Sequence, residues 1–274
     1  MFRACEVWVI LALALAATMT TGVPAACNLG SGQAAVANTA SLRTLVWSPY
    51  ARVETGWEVY APLIAHEVGT GCGPATAGFA AAVARWQAAH GLSGTGTIDA
   101  QTFAKFSAVW QGRRPYVALR ARGICPPPPA MVVRAAPAES YLGKPILVRR
   151  GTLLAWRKLV AAAKRDVPGL ARDPRWLSIF SGFRDPSSDA ARCVREKNCN
   201  GIVRAKCSAH RTGLALDVYV GQAAGYGPDS SADPNRRAMT RSAAYAWLLK
   251  NARTYGFVNY PFEPWHWEWT GEQP

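Results

Sequence analysis

Two short stretches carry residue types that could hold a cation. In "CSAHRTGLALDVYVG", His210 and Asp217 stand seven positions apart, and in "NYPFEPWHWEWTGEQP", Glu263 and His266 stand three apart. The chain has only 4 His, and these stretches hold two of them. His210, Asp217 and His266 make a two-imidazole, one-carboxylate set. Such a set commonly binds catalytic zinc and leaves a fourth position for water. Taken singly, the first stretch reads as a turn His with a surface Asp, and the second as an aromatic edge strand. Taken together they supply a ligand set, which argues against both readings.

The flanking residues say how such groups would be positioned. Gly213 permits a turn after His210. Ala215, Asp217 and Tyr219 then alternate with Leu214, Leu216 and Val218, as on a strand with one buried face. Asp217 is expected to point away from that face or into a cleft beside it. Trp265, Trp267 and Trp269 alternate along a second expected strand, with His266 and Glu268 facing the other way. Glu268 is either a partner that orients His266 or a solvated acid. A regular strand places residues three apart on opposite faces. Pro264 interrupts the alternation, so a bend there is what would bring Glu263 round to His266.

Around these stretches, "TLLAWRKLVAAAKRDV" reads as an amphipathic helix with Leu153, Trp156, Val160 and Ala163 on one face. "WLSIFSGFRD" reads as a strand ending in a loop, and "RSAAYAWLLKNARTYGF" as a second helix stopped by Gly256. Irregular alternation of strands and helices points to an α+β fold rather than a doubly wound sheet. Upstream, Phe79, Val83 and Trp86 recur at helical spacing before Gly91, and Asp99 is a good N-cap for a short helix burying Phe103 and Phe106. Between the two regions, "GICPPPPAMVVRAAPAES" reads as a semi-rigid linker, because four consecutive Pro favour extended polyproline geometry. His66 and His90 are expected to be structural.

With 274 residues, the chain is long enough for two modest domains. Its net charge of +14, spread along the chain, favours anionic partners such as cell-wall polymers. Neither zinc-finger spacing nor a basic-aromatic run occurs, so no nucleic-acid partner is expected. "MFRACEVW", the apolar run "VWVILALALAA" and the small residues of "TGVPAAC" read as an export signal over residues 1–26, cleaved near Ala25 or Ala26. The run is too short for a comfortable membrane span, so no stable span is expected after cleavage. The alternatives are an uncleaved anchor and a lipid on Cys27, although Pro24 fits the lipid signal poorly. Without Cys5, six Cys remain: Cys27, Cys72, Cys125, Cys193, Cys199 and Cys207. In an exported chain they suggest disulfides. Three lie early and three late, so either one bridge crosses between the groups or one pair stays reduced.

Three motifs then add a family resemblance. "SAHRTGLALD" matches the Ser-x-His-x-x-Gly-x-Ala-x-Asp motif of the LAS metallopeptidases, named for lysostaphin, D-Ala-D-Ala peptidases and sonic hedgehog. "EPWHWEW" matches the Glu-x-x-His motif of the vancomycin-resistance type of D-alanyl-D-alanine carboxypeptidase. "SGFRD" resembles the Ser-Gly-Tyr-Arg stretch of that branch, with Phe183 replacing Tyr. The likeness spans roughly residues 141 to 270. It implies zinc on His210, Asp217 and His266, Glu263 as general base, Arg184 as the cation that steadies the substrate carbonyl or its oxyanion, and Ser208 on the substrate side. A Gln often found after the family Arg is missing, and "RDPSSDAARC" offers Asp185 and Asp189 instead. "VARWQAAHGL" and "GTIDAQTFAKF" resemble the three-helix type of peptidoglycan-binding domain.

The resemblances imply an α+β peptidase domain with a small central antiparallel sheet flanked by helices, preceded by a small three-helix wall-binding-like domain. The expected organisation is a signal peptide (1–26), an N-terminal region (27–110) with wall-binding-like helices at about 70–110, a Pro-rich linker (111–140) and a zinc D,D-carboxypeptidase domain (141–274). The implied protein is secreted or periplasmic and wall-associated, and it releases the terminal D-Ala of peptidoglycan stem peptides ending in D-Ala-D-Ala. Arg184, Arg211 and Lys206 are the candidate cations for the substrate's terminal carboxylate. Other readings are an endopeptidase cutting L-Ala-D-Glu or a cross-bridge, and a non-catalytic wall-binding protein.

Overall fold

A computed structural model describes residues 25–28, 32–123, 125–197, 199 and 207–274. The expected export signal lies outside them except for its last two residues. Among the described residues, no helix is long and apolar enough to cross a membrane.

The N-terminal region builds from α1 (Gly32–Thr44), a short hairpin of β1 (Val46–Trp47) and β2 (Glu54–Thr55), then α2 (Ala61–Glu67), α3 (Ala77–Ala89), α4 (Ala100–Gly112) and α5 (Pro115–Ala121). Side-chain oxygens cap the two helices expected from sequence. Thr76 Oγ1 accepts from the Phe79 N–H at 3.2 Å and starts α3, and an Asp99 carboxylate oxygen accepts from the Thr102 N–H at 2.7 Å and starts α4. Their apolar faces meet: Phe79, Val83 and Trp86 pack with Phe103, Phe106 and Trp110. The turn between them is closed by Gln87, whose amide reaches the Thr97 carbonyl at 3.0 Å and the Thr102 hydroxyl at 2.9 Å. Asn38 ties α1 to that turn by donating to the Gly96 carbonyl and accepting from the Ile98 N–H. Gly96 has φ +73°, and a Cβ there would stand 2.6 Å from the Ala80 carbonyl oxygen, so only glycine fits. A Cys27–Cys72 disulfide closes the region.

The span expected as a spacer, 111–140, begins in helix: it holds the end of α4 and all of α5 before the proline run. Then β3 (Val133–Arg134) pairs with β4 (Leu147–Val148). The amphipathic helix α6 (Arg150–Asp166) buries Leu153, Trp156, Leu159 and Ala163. Beyond it come β5 (Ile179–Ser181), α7 (Pro186–Arg195), β6 (Ala215–Val218), α8 (Asp233–Thr240), α9 (Ala243–Asn251), β7 (Phe257–Tyr260) and β8 (Glu263–Trp269). Four of these strands form one antiparallel sheet in the order β5-β6-β8-β7. Helical N-terminal region and sheet-centred C-terminal region together make an α+β fold.

The two regions share one hydrophobic core, which runs from Trp57, Phe79 and Phe103 to Trp156, Trp265 and Trp267. Polar groups also cross the seam. Arg236 on α8 is fully buried; it donates to Glu54 Oε2 at 3.0 Å, to the Tyr60 hydroxyl at 2.6 Å and to the Phe262 carbonyl at 2.9 Å. Covalently, Cys125–Cys207 ties the start of the proline run to the His210 segment, and Cys193–Cys199 closes locally. One bridge therefore crosses between the early and late cysteines, the first of the two arrangements expected.

Candidate metal centre

Each expected ligand is held by a local device. His210 sits in a tight turn, Ala209–Thr212, which ends at Gly213 with φ +69°. Gly182, from "SGFRD", lies so close to β4 that a Cβ would stand 2.4 Å from the Leu147 carbonyl oxygen. This close approach presents the Gly182 carbonyl to His210 Nδ1 at 2.7 Å. Asp217 lies opposite His266 in the β6–β8 ladder, and Leu216 lies opposite Trp267. Directly opposed residues share a face, so the polar pair faces the cleft and the apolar pair the core.

The bend expected at Pro264 is a wide bulge. Asn259 pairs with Trp267 and Tyr260 with Glu263, so one step on β7 spans four on β8. Pro264, Trp265 and His266 drop out of the β7 ladder, while His266 stays paired with Asp217 on β6. The freed carbonyls find side-chain donors. Asn259 Nδ2 donates to the Glu263 carbonyl at 3.2 Å and to the His266 carbonyl at 2.9 Å, and Trp267 Nε1 donates to the Pro264 carbonyl at 3.1 Å. Through this bulge Glu263 Oε2 comes within 3.7 Å of His266 Nδ1.

Ligand-type atoms of His210, Asp217 and His266 lie within 4.8 Å of one another, and all three residues are buried. His210 Nε2 is 3.1 Å from Asp217 Oδ2, and His266 Nδ1 is 2.9 Å from Asp217 Oδ1. The outer nitrogens face acceptors: His210 Nδ1 the Gly182 carbonyl, and His266 Nε2 Glu268 Oε1 at 3.3 Å. In the neutral ring, an acceptor on the outer nitrogen holds the proton there and turns the lone pair of the inner nitrogen toward the centre. Two lone pairs and a carboxylate converge on one point, and this donor set fits a divalent cation of the zinc type.

The buried charges respond to one another. Burial pushes the Asp217 carboxyl up, but His210 and His266 hold it well below the usual carboxylate range. Burial, aided by nearby Arg184, lowers His210 to about 4. Burial also works against a charged His266, yet its bonds to Asp217 and Glu268 outweigh that and raise it to about 9.

Arg184 and Ser208 adjoin the centre. Arg184 reaches Asp189 Oδ1 at 3.3 Å and Asp217 Oδ2 at 3.8 Å, and its Nε is buried without a hydrogen-bond partner among the described residues. Ser208 donates to Asp189 from its backbone N–H at 2.7 Å and from its hydroxyl at 2.8 Å. Asp189, 1% exposed, thus steadies both residues. It stands on the first turns of α7, which Asp185 caps by accepting from the Ser187 and Ser188 N–H groups at 3.0 Å. The "RDPSSDAARC" departure from the family pattern therefore makes a helix cap and a buried anchor.

These groups line a cleft of about 440 Å³. Its second wall comes from α4 and α5 and includes Gln111, Arg114, Tyr116 and Arg120. Sequence reasoning does not find these residues, because they sit in what reads as the approach to a linker. Of the expected carboxylate cations, Lys206 lies outside the described residues. Arg211 donates to Cys125 Sγ at 2.7 Å and to the Pro186 carbonyl, and it is not part of the cleft wall. Among the cleft arginines, Arg114 pairs with Glu268, Arg184 with Asp189 and Asp217, and Arg192 with Glu196 and Asp229. Arg120 is exposed and has no acidic partner among the described residues.

The family model VanY, D-alanyl-D-alanine carboxypeptidase, matches residues 146–272. No curated protein matches the chain. Among solved structures, the chain is similar to the LdcB LD-carboxypeptidase, whose structure is described as revealing the molecular basis of peptidoglycan recognition. The identity is 21%, the match covers 53% of this chain and 70% of that one, and the TM-score is 0.38. The stretch that matches this family model carries His210, Asp217, Glu263 and His266.

Proposed function

We propose that this chain is a zinc-dependent carboxypeptidase that removes the terminal D-alanine from peptidoglycan stem peptides. The observation that carries the reading is the convergence of His210, Asp217 and His266 with Glu263 beside them, inside a VanY-family domain. When bound, zinc supplies Lewis acidity that makes a water nucleophilic near neutral pH.

The protein's own groups do the rest. Glu263, set beside His266 by the bulge, takes the proton of the attacking water and returns it to the leaving amine nitrogen. Arg184, on the cleft wall beside Asp217, meets the scissile carbonyl oxygen and steadies the negative charge that develops there. Asp189 holds Arg184 and Ser208 in place from behind, and Ser208 lines the substrate side. Arg120 takes the terminal carboxylate, since the other cleft arginines already face acids. Charge-assisted hydrogen bonds of this kind are shorter and stronger than neutral ones.

Three disulfides and the leader-like start support an extracytoplasmic location, secreted or periplasmic, and the charge of +14 suits an anionic wall. The helices of the N-terminal region are proposed to contact peptidoglycan. The test is a digest of a defined stem pentapeptide by zinc-loaded protein, read by mass spectrometry. Loss of one alanine, abolished by chelator and by Glu263→Gln, is the expected result. Cleavage inside the stem would make the protein an endopeptidase. Sacculus binding without any cleavage would make it a wall-binding protein only.

A further inference from the structure

The VanY-family match begins at residue 146, yet one imidazole of the centre is anchored from residue 114. Glu268, two positions after His266, faces His266 Nε2 at 3.3 Å. Its Oε1 also accepts from Arg114 Nε at 2.8 Å, and its Oε2 from the Tyr116 backbone N–H at 3.2 Å. Arg114 is fixed in turn: Nη1 donates to Gln111 Oε1 at 2.6 Å, and the guanidinium lies 4.1 Å from the centre of the Tyr260 ring. Pro115 starts α5 and keeps Arg114 extended, at φ −86° and ψ 125°, which fixes where its side chain departs. Arg114 is 7% exposed and Glu268 1%. A carboxylate buried this deeply needs a cation, and the cation comes from the corner between α4 and α5 rather than from the family domain.

We propose that Arg114 is a positioning residue of the metal centre. By holding Glu268, it keeps the outer nitrogen of His266 donating and the inner nitrogen free to face Asp217. The N-terminal region thereby completes a site whose ligands all lie in the VanY-family domain. This inference rests on the reading of His210, Asp217 and His266 as zinc ligands. A pair that merely fastened the seam would affect stability and leave metal affinity alone.

Zinc affinity of the full chain, measured by competition with a chromophoric chelator alongside thermal melts, tests the difference. Arg114→Met and Glu268→Gln are each expected to weaken zinc binding about tenfold or more, the usual effect of removing a group that orients a metal-ligating imidazole. Since Arg114 acts through Glu268, the double variant should bind no more weakly than the poorer single one. Losses that multiply, or a folded Arg114→Met protein with wild-type affinity, overturn the proposal. If Arg114→Met does not fold, Arg114→Lys keeps the buried charge without the planar fork and is compared in the same way. A wild-type chain that binds no zinc refutes the reading of the centre itself. Zinc binding by wild type with unaffected variants refutes only the role of Arg114.

Discussion

Arg236 and Glu54 form an ion pair 3.0 Å apart with both side chains out of solvent, one on α8 and the other on β2. It joins the N-terminal hairpin to the sheet-centred C-terminal region inside a shared core. Arg236→Met would leave Glu54 as a buried charge without its cation. The expected cost is about 3–5 kcal/mol. Denaturant melts followed by Trp fluorescence should give one transition for the wild-type chain and a much lower midpoint for the variant. Two separate wild-type transitions would show that the regions unfold independently.

Glu263→Gln keeps the shape of the side chain and removes its basicity. Turnover should fall about 10²–10⁴-fold, the usual contribution of a general acid–base group. Zinc content, measured by elemental analysis, should match wild type. A variant that loses both metal and activity would assign Glu263 a ligand role instead.

Asn259 bridges the ends of the bulge, with Nδ2 on the Glu263 and His266 carbonyls and Oδ1 accepting from the Tyr245 hydroxyl at 3.2 Å. Asn259→Ala strips partners from both carbonyls, at a cost of about 1–3 kcal/mol for each one left buried and unpaired. The expected kinetic result is a lower kcat with KM little changed, because Glu263 is displaced while the cleft wall remains. An unchanged kcat would mean that the backbone alone holds the bulge.

Arg120→Ala should raise KM for peptides with a free terminal carboxylate. A hydrogen bond to a charged group contributes about 1.5–3 kcal/mol, roughly 10- to 100-fold in affinity. Peptides ending in an amide should bind wild type and variant alike. Equal loss on both substrates would place the carboxylate elsewhere.

Glu67, on α2, pairs with Nη1 and Nη2 of Arg113, each at 2.7 Å, and accepts from Trp110 Nε1 at 3.1 Å. Burial pushes its carboxyl up, but these bonds outweigh that and lower it below its ordinary value of 4.5. The folded state therefore binds the Glu67 proton less readily than the unfolded chain. Its stabilisation is complete above the unfolded value and fades as pH falls through the lower folded one. Between pH 6 and strong acid, Glu67→Gln should show less acid loss of stability than wild type. Parallel curves would mean that the pair contributes nothing.

What is legible in the sequence follows from local pattern. The strand alternation around Asp217, the turn at Gly213 and the break at Pro264 are short-range features, and each appears where its residue type demands. Helices α3 and α4 announce themselves by apolar spacing, and α4 also by Asp99 at its start. Arg114, Tyr116 and Asp189 leave no such trace. Arg114 and Tyr116 meet Glu268 across more than 150 residues, and nothing near either partner encodes the pairing. On α6 the helical pattern finds the buried face but misses one position: Leu159, not Val160, is fully buried. The four-proline run draws attention from the seven-residue helix just before it.

The core that runs unbroken from Trp57 to Trp267 makes the molecule one body. A module on a swinging tether samples many orientations, and what it gains is local concentration. A module that shares a core with its catalytic partner has a single orientation. Whatever surface α3 and α4 rest on, the cleft mouth beside Glu263 stands at a set angle and depth to it. If the proposed activity holds, reach rather than residence decides which stems are trimmed.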